Sequence, residues 1–172
     1  MQQLNSYTIV KGNYVIFKGE LSPLSNFYKK PFFDDENEVQ YPTMEHYFQH
    51  QKALFFNNIY AAATILEINK AVDVKHAARL ITNFNEKAWD EVKDEIMLRG
   101  LKKKFMDVEL KEFLKKHYIN GNSRRIFLEN TGHNYWGCRI NNIFNTINPN
   151  HLGGNNKLGK LLNKVCEEFF DR

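Results

Sequence analysis

The stretch Tyr41-Pro42-Thr43-Met44-Glu45-His46-Tyr47-Phe48-Gln49-His50-Gln51-Lys52-Ala53 constrains the fold more than any other. Pro42 cannot continue a preceding helix and Thr43 is a good N-cap, so a helix is predicted to open here. Met44, Tyr47, Phe48, Gln51 and Phe55 recur at helical spacing and make one largely apolar stripe. Glu45, Gln49 and Lys52 stand at i, i+4 and i+7 and share a second face. Glu45 and Lys52 are about 10 Å apart along the axis, beyond the usual i,i+4 ion pair. Their long side chains can still lean toward one another over the Gln49 amide. A carboxylate, an amide and an amine around one small space would grip a polar ligand. On composition alone the same face reads as a solvated one carrying unrelated charges.

Size and composition bound what this helix can belong to. A chain of 172 residues suits one core and is short for two. A single domain over 1–172 is expected, with its core at about 14–170. Hydrophobic residues at 42% and charged residues at 26% describe a globular chain. Aromatics at 14%, with 14 Phe, supply a dense core or a pocket with flat walls. The net charge of +4 favours an anionic ligand only weakly. Lys102-Lys103-Lys104 invites a nucleic-acid reading, but a charge run on an amphipathic helix reads first as a solvated face, and no nucleic-acid-binding motif accompanies it. Cys138 and Cys166 lack paired spacing, which argues for a reducing compartment and against a disulfide or zinc framework. The start of the chain, Met1 to Ser6, has neither the basic run nor the apolar core of a signal peptide. No run of about 18 apolar residues is present, so no membrane span is expected. These readings together predict a soluble cytoplasmic protein.

Along the chain, Tyr14-Val15-Ile16-Phe17 reads as a strand closed by a Lys18-Gly19-Glu20 turn. Leu24 to Tyr28 reads as a loop in which Ser25 and Asn26 offer donors and acceptors or cap a turn. Pro31-Phe32-Phe33 and Val39-Gln40-Tyr41 flank Asp34-Asp35-Glu36-Asn37 as a hairpin that feeds the key helix. Helices are expected at 59–68, at 74–80 with Asp73 as a candidate N-cap, from Asn85 toward Phe105, and at 110–114. Arg124 to Glu129 reads as a buried strand, and 141–150 as an Asn-rich loop. Asn130 to Gly137 brackets an aromatic pair with glycines and folds close to something. His151-Leu152-Gly153-Gly154-Asn155-Asn156 opens the last helix, 158–170. Its backbone N–H groups are a candidate anion cradle, or else the loop is ordinary with Asn156 as N-cap. His46 and His50 stand at i,i+4, but the zinc-protease order is absent and no third ligand appears, so no metal is expected.

Several motifs recur in a fixed order: Leu24-Ser25-Asn26-Phe27-Tyr28; Tyr41 to Tyr47; Gln51-Lys52-Ala53; Trp89 with Val92-Lys93 and Met97; Lys104-Phe105; Trp136-Gly137; and Asn156-Lys157-Leu158-Gly159-Lys160-Leu161-Leu162. In order and spacing the chain resembles the NADAR (YbiA-like) family from about Phe17 to Val165. The resemblance implies an α+β fold: mostly helical, single-domain, with a small antiparallel sheet near the N-terminus. It implies an N-glycosidase without cofactor, cleaving the C1–N bond of a phosphorylated ribosylated base. That base is a ribosylamino-pyrimidine intermediate of riboflavin biosynthesis or ADP-ribosylated guanine in nucleic acid. The other reading is a non-catalytic module that binds NAD or ADP-ribose. A third is an RNA-binding or interaction protein that uses the lysine-rich helix.

The resemblance also assigns roles. Glu45 is the acid/base and Lys52 the amine, as nucleophile or as a ribose and phosphate contact. Asn26, Gln49, Arg79, Asn155 and Asn156 are binding candidates. Trp136 and Gly137 wall the pocket. Trp89 is either a pocket wall or a core anchor. Two places depart from the family pattern. A basic-Gly-basic motif is replaced by Ala78-Arg79-Leu80-Ile81-Thr82, which leaves Arg79 as the cation. His133 stands where an acid precedes Trp136 by three; it can move protons near neutral pH but does not carry a carboxylate's charge.

Overall fold

The computed structural model describes residues 5–171; Met1 to Leu4, part of the start that lacks signal-peptide features, lie outside the described residues. The order of elements is β1 (Tyr7–Lys11), β2 (Tyr14–Lys18), β3 (Phe32–Asp34), β4 (Val39–Tyr41), α1 (Met44–Phe55), α2 (Ile59–Glu67), α3 (Ala71–Ala77), α4 (Glu86–Lys104), α5 (Val108–Tyr118), β5 (Ile119–Asn120), β6 (Ser123–Arg124), β7 (Ile126–Glu129) and α6 (Lys157–Phe170). Short 3₁₀ turns follow α3 at Ala78–Leu80 and precede α6 at Pro149–His151. The fold is α+β, as expected. The chain divides into two compact units: Asn26–Asp107, and the remainder, made of the segment ending at Ser25 and the segment beginning at Val108.

In the unit Asn26–Asp107, α1 is the centre. Thr43 is its N-cap, with extended backbone and Oγ1 accepting from His46 N. Every side chain from Met44 to His50 is buried, so the helix is packed all round rather than striped. The polar ones are each held. His46 joins Thr43 Oγ1 through Nδ1 (2.8 Å) and the Ile68 carbonyl through Nε2 (2.7 Å), and His50 Nδ1 joins Tyr41 Oη at 2.7 Å. Helices α2 and α3 cover one side through Ala53, Ala61, Ala62, Ile65, Val74 and Ile81. Helix α4 crosses α1 where Gly100 faces Tyr47; a Cβ there would lie 2.3 Å from the tyrosine ring. The expected hairpin forms between β3 and β4, with Phe32 opposite Tyr41.

Two expectations in this unit change. The lysine run ending α4 is not a solvated face. Lys103 Nζ lies 2.8 Å from Asp34, 2.7 Å from Asp35 and 3.3 Å from Glu36, so it closes the acidic hairpin turn. Lys104 is 1% exposed, with Nζ 5.1 Å from the Phe105 ring centroid and 5.9 Å from that of Tyr28. Asp73 is not an N-cap, because α3 starts two residues earlier at Ala71 and Asp73 sits in its first turn.

The other unit carries a three-stranded sheet in the order β1-β2-β7. β1 and β2 are antiparallel, with Ile9 opposite Ile16. β2 and β7 are parallel, with Ile16 opposite Leu128. The strand expected at 14–17 therefore does not share a sheet with 32–41; it is the middle strand of a separate one, and Val15, Ile16 and Phe17 are all buried as a middle strand requires. Helix α5 runs past 110–114 to Val108–Tyr118, and α6, which buries Leu158, Leu161, Leu162, Val165 and Cys166, packs on β7 and α5. Its contact with β7 is close enough that a Cβ on Gly159 would fall 2.1 Å from the Phe127 carbonyl oxygen.

Candidate active site

Within Asn26–Asp107 an open cleft of about 400 Å³ is lined by Gln49 and Lys52 of α1, Lys75 of α3, and Ala78, Arg79, Ile81 and Phe84 of the segment that follows. Local structure places each of these groups. The Asn58 side chain caps α2 by accepting from Ala61 N, and its Nδ2 donates to Leu80 O (3.3 Å) and Thr82 Oγ1 (2.9 Å). This fixes the rim that carries Arg79 and Ile81. Asn83 takes a left-handed turn (φ +57°), which only a few non-glycine residue types do readily. Asn85 then caps α4 by accepting from Ala88 N.

Behind the lining lies Glu45. Its side chain is buried, and Gln49 Nε2 donates to its Oε1 at 2.9 Å. Its backbone N–H donates to the Asn26 carbonyl at 3.0 Å, which ties the Asn26 turn to the first turn of α1. Burial pushes the Glu45 carboxyl above the usual carboxylate range; the Gln49 hydrogen bond and the charges of Lys75 and Lys52 pull against that rise. Lys52 moves the other way. Burial lowers it, Glu45 opposes that, and Lys93 lowers it further. Lys52 Nζ sits 4.3 Å above the Phe84 ring centroid and 5.7 Å from that of Trp89. Two buried oxygens have no hydrogen-bond partner among the described residues: Gln49 Oε1 and Asn26 Oδ1. Asn26 Nδ2 is engaged by Met97 Sδ at 3.5 Å. A buried amide oxygen left open is costly unless something arrives to donate to it.

The structure thus lines one cleft with Gln49, Lys52 and Arg79, holds Glu45 behind Gln49, and joins Asn26 to Glu45 through the backbone. Trp89 belongs to the core: it is 5% exposed and packs against Phe48, Phe55 and Phe56 at ring distances of 5.3 to 6.3 Å. The aromatic wall of the cleft is Phe84, 46% exposed. Sequence reasoning missed Phe84 and Lys75. Lys75 stands four residues before Arg79, the spacing that puts two cations on one helical side, and that signal was there to be read.

The remaining candidates lie in the other unit, where they make one knot of backbone hydrogen bonds. The N–H groups of Asn155, Asn156, Lys157 and Leu158 donate to the carbonyls of Asn134, Gly137, Tyr135 and Trp136 at 2.8 to 3.0 Å. The anion cradle expected at the start of α6 is therefore filled by the chain's own carbonyls. Asn156 occupies the N-cap position in a left-handed conformation, but its side chain does not cap the helix. It reaches β7, where Nδ2 donates to Phe127 O (2.8 Å) and Oδ1 accepts from Glu129 N (3.0 Å). His133 Nδ1 accepts from the N–H groups of Tyr135 (3.2 Å) and Trp136 (3.1 Å). The loop needs an acceptor at this position, and a carboxylate or a neutral imidazole both supply one. Trp136 is half-buried and meets Tyr135 edge to face at 4.9 Å.

The sequence profile of the NADAR domain matches residues 16–170. An N-glycosidase of Acanthamoeba polyphaga mimivirus is 29% identical over 140 residues, covering 81% of each chain. An N-glycosidase of Nostoc punctiforme is 32% identical over 137 residues, covering 77% of this chain and 76% of its own. The N-glycosidase YbiA of Shigella flexneri is 30% identical over 174 residues, covering 98% of this chain and 93% of its own. The NMR structure of the E. coli protein YbiA superposes with a TM-score of 0.68 at 25% identity, covering 97% of this chain and 89% of that one. With a profile that spans residues 16–170 and a relative 30% identical over 98% of it, this chain is a member of the NADAR domain family.

Proposed function

We propose that the chain is an N-glycosidase that hydrolyses the C1–N bond of a phosphorylated ribosylated base, with the Asn26–Asp107 cleft as its active site. The observation that carries the reading is the arrangement of the buried Glu45 carboxyl, bonded by Gln49 Nε2, beside a cleft lined by Gln49 and Lys52, where burial raises the carboxyl and lowers the amine. Lys52 Nζ attacks C1. The C1–N bond breaks with its electron pair going to the departing nitrogen, which takes the proton of Glu45. The adduct opens to a Schiff base as the C1–ring-oxygen bond breaks, its electron pair going to the ring oxygen, which takes a proton from the adduct nitrogen; water then adds at C1, the sugar leaves Lys52 and the released proton returns to Glu45. Gln49 orients the Glu45 carboxyl through Nε2, and its open Oε1 accepts from a sugar hydroxyl. Arg79 and the charge of the cleft favour a phosphorylated sugar, and Phe84 offers a ring face to the base. Relatives named N-glycosidases support the reaction class. The two substrates to try are a ribosylamino-pyrimidine phosphate, of the kind found in riboflavin biosynthesis, and ADP-ribosylated guanine in DNA.

The test is incubation with each substrate, with Glu45→Gln and Lys52→Ala in parallel. Release of free base from one, lost in Glu45→Gln, is the expected result. Trapping with borohydride should link the sugar to the native protein and not to Lys52→Ala. If neither substrate releases base while ADP-ribose raises the melting temperature, the protein is a nucleotide-binding module and the reaction is withdrawn.

A further inference from the structure

We infer that Lys75 and Arg79 together form the phosphate-binding subsite of the cleft, with Lys75 supplying the second cation where Ala78 supplies none. Both line the cleft. They stand four residues apart on α3 and the 3₁₀ turn that continues it, and the backbone stays right-handed helical through Ala77 and Ala78. Their side chains therefore rise from the same side, and the single methyl of Ala78 leaves the space between them open.

The charge around the cleft is one-sided. Its lining holds Lys52, Lys75 and Arg79 and no acid. Several other basic side chains meet acids: Lys103 holds Asp34, Asp35 and Glu36, Lys93 holds Asp90, Arg99 faces Glu36, and Arg124 holds Asp171. Neither Lys75 nor Arg79 has an ion pair among the described residues. A guanidinium fork beside an ammonium suits a tetrahedral anion with several oxygens better than a planar carboxylate, which one guanidinium already satisfies. A second observation points independently to a ligand at this place. Gln49 is 8% exposed and lines the same cleft, and its Oε1 lacks a donor. A sugar hydroxyl supplies that donor while the phosphate it carries meets the two cations. Only the identity of what the phosphate is attached to rests on the glycosidase reading; the subsite itself does not.

Calorimetric titration with ribose and with ribose 5-phosphate tests this, on the native chain and on Lys75→Met and Arg79→Met. Both substitutions fall on exposed side chains, so folding is retained. Ribose 5-phosphate is expected to bind about tenfold or more tighter than ribose, a gain of about 1.4 kcal/mol. Each substitution should remove most of that gain and leave ribose affinity unchanged. Salt should weaken ribose 5-phosphate and not ribose. Equal affinity for the two sugars, or a gain that survives both substitutions, overturns the subsite. If the gain is present and Lys75-dependent while no substrate is cleaved, the subsite stands and the glycosidase reading falls. If base is released from a phosphorylated substrate with KM unchanged in Lys75→Met, the subsite falls and the reaction stands.

Discussion

Desolvation moves Glu45 and Lys52 toward each other, and that sets the pH dependence of the proposed reaction. The working form has the carboxyl protonated and the amine neutral. While the acid's pKa lies below the amine's, this form is a minority between the two, and each shift enlarges it, by tenfold for every unit the gap narrows. The rate is expected to rise with pH up to the Glu45 pKa, run flat, and fall above the Lys52 pKa. Lys93 is one of the charges that lowers Lys52. Lys93→Met should therefore move the alkaline break of kcat/KM upward and lower the plateau, leaving the acid break in place; a break that stays put would show that Lys52 is not the amine. Lys104 gives a second reading at this scale. Burial pushes its ammonium down to about 7 from 10.5. From about pH 7 to about pH 10 the unfolded chain holds a proton that the folded chain lacks, so the native protein gains stability with rising pH, by at most about 1.4 kcal/mol per unit. Urea unfolding of native protein and Lys104→Met should show the variant ahead near pH 7, with its advantage shrinking toward pH 9.

Between elements, the contact that organises the discontinuous unit is α6 against β7. One edge of β7 pairs with β2. The other is served by two amides of α6, seven residues apart. Asn156 bonds Phe127 O and Glu129 N, and Asn163 bonds Arg125 O and Phe127 N at 2.8 and 3.0 Å. The helix thus stands in for a fourth strand and covers an edge that would otherwise be open. Asn156→Leu leaves two backbone groups beside it without partners, at about 1–3 kcal/mol each. Gly159→Ala drives a methyl into the Phe127 carbonyl and is expected to cost about 1–3 kcal/mol or more. Thermal unfolding of both variants, with Lys160→Ala on the exposed side of α6 as the neutral comparison, measures this. The same contact shows what could be read from the chain alone. The Asn156 to Leu162 motif was visible, and so was the helix, because apolar spacing and turn residues are local signals. The clamp was not visible, because it depends on a strand nearly thirty residues away. Likewise the shared face of Glu45, Gln49 and Lys52 is legible from helical spacing, and Thr43 from cap chemistry. The sequence leaves Trp89 open between wall and core because its surroundings are tertiary. The anion cradle at α6 failed because its N–H groups meet carbonyls of 134–137, which no local pattern predicts.

At the scale of the whole chain, the topology couples the two units through connectivity. The parallel pair β2 and β7 joins residues on either side of the whole Asn26–Asp107 segment. With that segment folded, its chain no longer adds conformational freedom to the loop that the pairing closes. With it unfolded, the pairing must close a loop that includes about eighty disordered residues, at roughly 4 kcal/mol by chain statistics. Stabilising Asn26–Asp107 should therefore stabilise the sheet as well, although the proposed cleft lies only in the former. The two tryptophans report the two units separately: Trp89 in one, Trp136 in the other. In Trp136→Phe the fluorescence follows Trp89, and in Trp89→Phe it follows Trp136. Ribose 5-phosphate at about a hundred times its Kd contributes about 2.7 kcal/mol to whatever unfolds with the cleft. Both variants are expected to show a rise in melting temperature, about 2–4 °C for each kcal/mol. A rise confined to the Trp89 signal would mean that the sheet forms without the inserted segment, and that residues 16–170 fold as two domains rather than as one.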